Sequence, residues 1–141
     1  GVMGETEVVF VDANIFLEVA LEDAKSVSCE FFLRQLARQE ITAVTSDFIL
    51  YTCLIQLEKN YKGTQRVQNF ILSMHELKGL TIVRPQLEEM CAATQISEKY
   101  KLDFDDAFVV ATMLRRGITT LISLDKDFDK VKEITRKEPI F

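Results

Sequence analysis

Aspartates are the residues of this chain whose positions suggest chemistry. Asp12 closes the apolar run Val8-Val9-Phe10-Val11, and Asp125 closes Thr119-Thr120-Leu121-Ile122-Ser123-Leu124. Asp103, Asp105 and Asp106 fall within four residues, and Asp127 and Asp129 crowd behind Asp125. In an open parallel sheet, ligands bind just beyond the carboxyl ends of the strands. Two strand-ending acids from distant parts of the chain can therefore share one site. Carboxylates brought together there repel one another and either hold protons at raised pKa or demand a cation. Oxygen donors without a nearby histidine or cysteine favour Mg²⁺ or Mn²⁺ over zinc. Such an ion acidifies water and stabilises charge at phosphorus, so phosphodiester hydrolysis is the chemistry this donor set would serve.

Each acid also has a structural explanation. Aspartate commonly ends a strand in a turn. Asp103 with Asp106 three residues on resembles a capping box, and acids favour helix N-termini. Three aspartates in four residues nevertheless exceed what a cap requires.

The elements that must carry these side chains alternate between strand and helix. Val8–Val11 reads as a strand buried on both faces. Helices are expected over about 13–21 and 26–39, the second interleaving Val27, Phe31, Leu33 and Leu36 with charged residues. Residues 41–45 form a second strand, after which Ser46 caps a helix over 47–60 so apolar that it should be buried on most sides. Gly63 breaks that helix. Val67, Phe70, Ile71, Met74 and Leu77 mark an amphipathic helix ending near Gly79. Leu80–Val83 is a third strand, stopped at Pro85, and helices follow over about 86–101 and 103–117. Residues 118–124 make the fourth strand, and a final strand is expected at Pro139–Phe141. Strands separated by helices imply a parallel, helix-flanked sheet, an α/β sandwich.

The 141 residues suit one domain, with residues 1–6 set aside as a flexible N-terminus or expression scar. No apolar run approaches the roughly 18–20 residues that span a bilayer. Cys29, Cys53 and Cys91 are widely spaced and form no CxxC pair, which points away from zinc or disulfides and towards a reducing cytoplasm. The net charge of −5 excludes nucleic-acid binding through a general basic field, so a metal or a local basic rim must offset the repulsion.

Four motifs in order resemble the PIN-domain nucleases, especially the small prokaryotic ones that include VapC-type toxins. Val9-Phe10-Val11-Asp12-Ala13-Asn14 is similar to the family's opening strand with its first catalytic aspartate, and Thr45-Ser46 to the start of its second motif. Leu102–Ala107 resembles the third motif, with Asp106 as ligand. Ile122–Phe128 resembles the closing motif, with Ser123 for the usual threonine, Asp125 as ligand and Asp127 beside it. The resemblance implies a three-layer sandwich about a short parallel sheet and a Mg²⁺ or Mn²⁺ site held by Asp12, Asp106, Asp125 and Asp127. It implies endonucleolytic cleavage of RNA, homodimers and, for toxin members, inhibition by a small antitoxin protein. The family carries a glutamate on the helix after Thr-Ser, where this chain has Thr52. Glu58, six residues on, points about 240° around the helix and cannot replace it; Gln56 shares the face but is neutral. A non-catalytic PIN-like module that binds RNA or a protein is therefore the alternative reading.

Asn14, Ser46 and Ser123 are candidate supporting residues, although a turn asparagine and an N-cap serine need no catalytic role. His75 is the only histidine, so imidazole acid–base chemistry lacks a partner. Lys59, Lys62 and Arg66 form a loose basic stretch that either contacts phosphates or is simply solvated; Arg115 and Arg116 suit a helix C-terminus. Phe31, Phe32, Phe48, Phe70 and Phe108 sit at helical apolar positions and read as core, and no basic–aromatic interleaving marks a base-stacking platform. A receiver-type phosphotransfer domain would need paired early acids, and only Asp12 precedes the first helix.

Overall fold

Five short strands pair in parallel, in the order β3-β2-β1-β4-β5, in the computed structural model, which describes residues 7–140. The N-terminal segment 1–6 and Phe141 lie outside the described residues. The elements are β1 (Val8–Val11), α1 (Ala13–Ala20), α2 (Ser26–Ala37), β2 (Thr42–Ser46), α3 (Asp47–Asn60), α4 (Gln65–Met74), β3 (Leu80–Val83), α5 (Leu87–Tyr100), α6 (Phe104–Arg115), β4 (Thr120–Ile122) and β5 (Thr135–Lys137). A 3₁₀ turn at Lys126–Lys130 separates the last two strands.

Parallel neighbours cannot be joined by hairpins, so the chain leaves the sheet after each of β1–β3 through two helices, and after β4 through the 3₁₀ turn. It steps from β1 to β2 to β3 in one direction, then crosses back to place β4 on the other side of β1. Right-handed crossovers in opposite directions put their helices on opposite faces. In keeping with this, α1 packs on α2 and α3, α3 packs on α4, and α5 packs on α6. The result is the helix-flanked parallel α/β sandwich that the sequence implies. Central β1 buries Val9, Phe10 and Val11, and α6 buries every residue from Ala107 to Met113. The reversal of strand order falls between β1 and β4, which is where doubly wound sheets open a crevice at their carboxyl ends.

Five expectations need correcting. Phe31, expected in the core, is 43% exposed, because the stripe of α2 that packs inward is Cys29, Phe32 and Leu36. Helix α3 buries only Ile49, Cys53 and Leu57, while Tyr51 and Ile55 are more than half exposed, because its neighbours contact a single stripe of it. Helix α4 stops at Met74, well before Gly79. Gly79 serves a close approach instead: a Cβ there would lie 2.4 Å from the Ile41 carbonyl oxygen. Strand β4 pairs only over Thr120–Ile122. The last strand lies at Thr135–Lys137 rather than beyond Pro139, whose missing N–H suits the end of pairing. β5 is polar because it is an edge.

Among the described residues no helix is long and apolar enough to cross a membrane. Arg116 does more than complement the α6 dipole. Its guanidinium pairs with the Glu89 carboxylate, which is 1% exposed, and also donates to the Thr112 carbonyl at 3.0 Å. Glu89 in turn accepts the Gln86 N–H at 2.6 Å, so one buried ion pair joins the start of α5 to the end of α6. Removing one partner strands the other charge out of water. Arg116→Met should therefore cost about 3–5 kcal/mol in urea unfolding. A loss below about 1 kcal/mol would show the pair to be solvated.

Candidate metal centre

Asp12 is the first residue past β1, and its backbone N–H still donates to the Ile122 carbonyl at 3.0 Å, which ties it to β4. Its Oδ1 caps α1 by accepting the Ala13 N–H at 2.8 Å. Its Oδ2 accepts from Ser123 Oγ at 2.7 Å and from Asn14 Nδ2 at 3.2 Å. The direction of these bonds follows from counting. Asn14 Oδ1 accepts the Leu124 N–H at 3.1 Å, which leaves Nδ2 as the donor towards Asp12 and Ser123. Ser123 Oγ accepts from Asn14 Nδ2 and from the Asp125 N–H at 3.0 Å. A hydroxyl has two lone pairs and one proton, so the Ser123 proton points at Asp12. Asp12 thus receives three donors, the pattern of an ionised carboxylate.

The acids expected to meet do so in part. Carboxylate oxygens of Asp106, Asp125 and Asp127 lie within 4.8 Å of one another, and Asp103, Asp105 and Asp106 form a second such group through the shared Asp106. Asp12 joins neither group; 8% exposed, it sits beneath them and holds Ser123 and Asn14. Asp127 is a full member of the cluster, brought there because Asp125 Oδ1 accepts its N–H at 2.9 Å and starts the 3₁₀ turn. The capping-box expectation fails. Asp103 makes no side-chain cap, and the Asp106 N–H is taken by Asp105 Oδ1 at 3.0 Å, which leaves the Asp106 carboxylate for the cluster.

Electrostatics follow the crowding. Burial, then the charges of Asp105, Asp125, Asp12 and Asp103, push the Asp106 carboxyl up to about 7. Burial also raises Asp12, although Ser123 and Ala13 pull the other way. An all-oxygen cluster of crowded carboxylates fits a hard divalent cation, which Asp106, Asp125 and Asp127 could hold.

The remaining sequence candidates divide. Asn14 and Ser123 belong to the site, whereas the buried Ser46 hydroxyl caps α3 by accepting the Ile49 N–H at 3.2 Å. Thr52 is half-buried and its hydroxyl donates back to the Phe48 carbonyl at 3.0 Å, which spends it within α3. Lys59 and Lys62 lie at the other end of α3 from Ser46, about 20 Å along a helix of this length. Arg66 sits over the Tyr61 ring, 4.2 Å from its centroid. His75 is exposed at the end of α4.

Two supporting residues escape a reading of the sequence. Thr45 Oγ1 donates to the Val11 carbonyl at 2.8 Å and pins the end of β1. The Arg136 side chain, 10% exposed, donates to the Ser123 carbonyl at 2.9 Å and pairs with Asp129 and Glu138 at 2.9 and 2.7 Å. Thr45 stands within a motif already singled out, but nothing in the sequence separates Arg136 from its basic neighbours.

Over residues 9–134 the sequence matches the PIN domain family. The chain belongs to that family. PIN domains are nucleases. No curated protein matches the chain by sequence. Its fold is similar to that of VapBC2 from Rickettsia felis bound to a promoter DNA fragment, with TM-score 0.72 at 14% identity over 93% of this chain and 98% of that one. It is also similar to Mycobacterium tuberculosis VapC20, a sarcin–ricin loop cleaving toxin, with TM-score 0.71 at 18% identity over 88% and 95%. A Klebsiella pneumoniae toxin–antitoxin complex aligns with TM-score 0.65 at 16% identity over 90% and 95%.

The raised Asp106 pKa links the site to stability. The unfolded chain releases that proton near 3.8 and the folded chain near 7, so folding takes up a proton between these values. The group is neutral in both states at more acid pH, and its stabilising contribution is lost as pH rises to about 7. Chelator-treated Asp106→Asn should therefore melt several degrees above wild type at pH 8, with the difference closing by pH 4. An equal Tm at pH 8 would mean that Asp106 is not under electrostatic strain.

Proposed function

We propose that this PIN domain is a Mg²⁺- or Mn²⁺-dependent endoribonuclease, and that it acts as the toxin of a toxin–antitoxin pair. The observation that carries the reading is the crowding of Asp106, Asp125 and Asp127 within 4.8 Å beside the buried Asp12–Ser123–Asn14 network. Held by Asp106, Asp125 and Asp127, a divalent ion would supply positive charge beside the phosphate and lower the pKa of water. The chain's own part is positional. Asp106, Asp125 and Asp127 offer the oxygens. Asp12, held by three donors, keeps Ser123 fixed, and Ser123 fixes the Asp125 backbone. No side chain is placed as a covalent nucleophile.

RNA rather than DNA is favoured by the likeness to VapC20, which cleaves the sarcin–ricin loop. An antitoxin partner is supported by the likeness to VapBC complexes. The cleft between α1, α2 and α4, of about 490 Å³ and lined by Phe16, Leu33, Leu57, Phe70 and Met74, would accept its apolar segment. Exposed Tyr51, Ile55, Ile71 and Leu72 on α3 and α4 offer a second copy of the chain a surface for a homodimer. Cys29, Cys53 and Cys91 are free thiols, in keeping with one domain working in the cytoplasm.

The alternative, a non-cutting module that binds RNA or a protein, rests on Thr52. Phe48, one turn before it, packs on Phe108 of α6 at 5.1 Å, and Cys53, beside it, comes within 3.8 Å of the Ala13 carbonyl. The face of α3 that carries Phe48 and Thr52 thus turns towards α6, the helix of Asp106, and a glutamate at position 52 would add a carboxylate to that side.

Asp125→Asn should lower Mn²⁺ affinity in calorimetry and abolish RNA cleavage while leaving Tm nearly unchanged. Asp12→Asn should abolish cleavage too but also lower Tm, because an amide cannot accept all three donors and the loss costs about 1–3 kcal/mol. Folded wild type that neither binds Mn²⁺ nor cuts RNA would move the reading to the non-cutting module. Thr52→Glu separates the two further: a large gain in Mn²⁺ affinity and cleavage marks a decayed site, and no gain marks a three-aspartate site already sufficient.

A further inference from the structure

Phe104, the first residue of α6, is 46% exposed although it belongs to the segment that carries Asp103, Asp105 and Asp106. Its ring stacks on Phe108 at 5.7 Å between centroids and 28° between planes. Phe108 is 5% exposed and packs in turn on Phe48. The exposed ring is thus held rigid from behind, without the rotamer freedom of a loose surface phenylalanine. An aromatic face in water gains little from folding, but a base can stack on it.

A cation accompanies it. Lys130, from the 3₁₀ turn that begins at Asp125, reaches across to the Lys101 carbonyl at 3.5 Å, at the α5–α6 junction three residues before Phe104. Lys101 itself has φ 58°, a left-handed conformation that bends the chain from α5 into α6. Phe104 and Lys130 thus stand on the two segments that also carry the clustered Asp106, Asp125 and Asp127, and Lys130 meets the chain three residues from Phe104.

We propose that Phe104 and Lys130 form a subsite for single-stranded RNA next to the metal centre: the base of a nucleotide flanking the scissile phosphate stacks on Phe104, and its phosphate pairs with Lys130. The assignment rests on the ribonuclease reading above and names the contacts by which a chain of net charge −5 would hold an anionic strand. It concerns strand binding, not the metal. Stacking reads any base, so the subsite adds affinity without strict sequence choice.

The chain contains no tryptophan, so Phe104→Trp installs a unique fluorophore at the subsite. Titration with a short single-stranded oligoribonucleotide, with Ca²⁺ replacing Mg²⁺ so that the strand is bound and not cut, should quench its emission. Phe104→Ala should weaken binding about tenfold or more, while Phe104→Tyr should bind like wild type. Mn²⁺ affinity should be the same in all three variants. Lys130→Gln should reduce the slope of log K against log salt by about one. Unquenched F104W at saturating RNA, or wild-type affinity in F104A, overturns the subsite while leaving the nuclease reading intact if wild type still cuts. Loss of self-association in F104A with RNA affinity unchanged would assign the ring to a protein interface instead. Wild type that binds no RNA removes the subsite and the RNA reading together, with Mn²⁺ calorimetry reporting separately on the metal centre.

Discussion

Like charges confined within 4.8 Å repel, and the architecture around Asp106, Asp125 and Asp127 is best understood as what keeps them there. Each acid is anchored through its backbone. Asp125 follows β4 and is tied by its N–H to Ser123. Asp127 is tied by its N–H to Asp125, and Asp106 is fixed in the first turn of α6, whose next seven residues are buried. No acid can swing away without undoing a turn or the entry to a core helix. Burial first, and then the neighbouring charges, leave Asp106 with a raised proton affinity.

Beneath the cluster, Ser123 joins the two halves of the sheet. Its hydroxyl links Asp12, Asn14 and Asp125, and its carbonyl takes the Arg136 guanidinium from β5. Three of the five strands therefore meet at one residue. Asp12 emerges as the residue that fixes the geometry from below, whereas the oxygens closest to one another are supplied by α6 and the 3₁₀ turn.

The chain separates strain from support. At Asp106 burial and neighbouring charges oppose ionisation, while elsewhere buried polar groups are paired. Among the described residues no buried side-chain nitrogen or oxygen lacks a hydrogen-bond partner. The Glu89–Arg116 pair locks α5 to α6 from the end opposite the acids, so the helix that presents Asp106 is held at both ends. Such a division is expected where a site is kept for function at a cost in stability.

Much of this was legible in the chain itself. Apolar runs ended by Asp12 and Asp125, and helices between strands, were enough for a parallel sheet with acids at its carboxyl edge, because buried strands must be apolar and turns must not be. Caps and breakers located α3 nearly to the residue, since Ser46 and Gly63 act on their own neighbours. Exposure was not legible: α3 looks buried from its composition, yet only contact with other helices decides which stripe is covered. Nor did the sequence separate a capping role for Asp106 from a ligand role, since that depends on whether its N–H finds Asp105 and its carboxylate finds Asp125. The residue types at the strand ends, and hence the kind of chemistry available, follow from the chain's local composition. Which of those residues meet depends on the reversal of strand order between β1 and β4, a property of the whole sheet and not of any local segment.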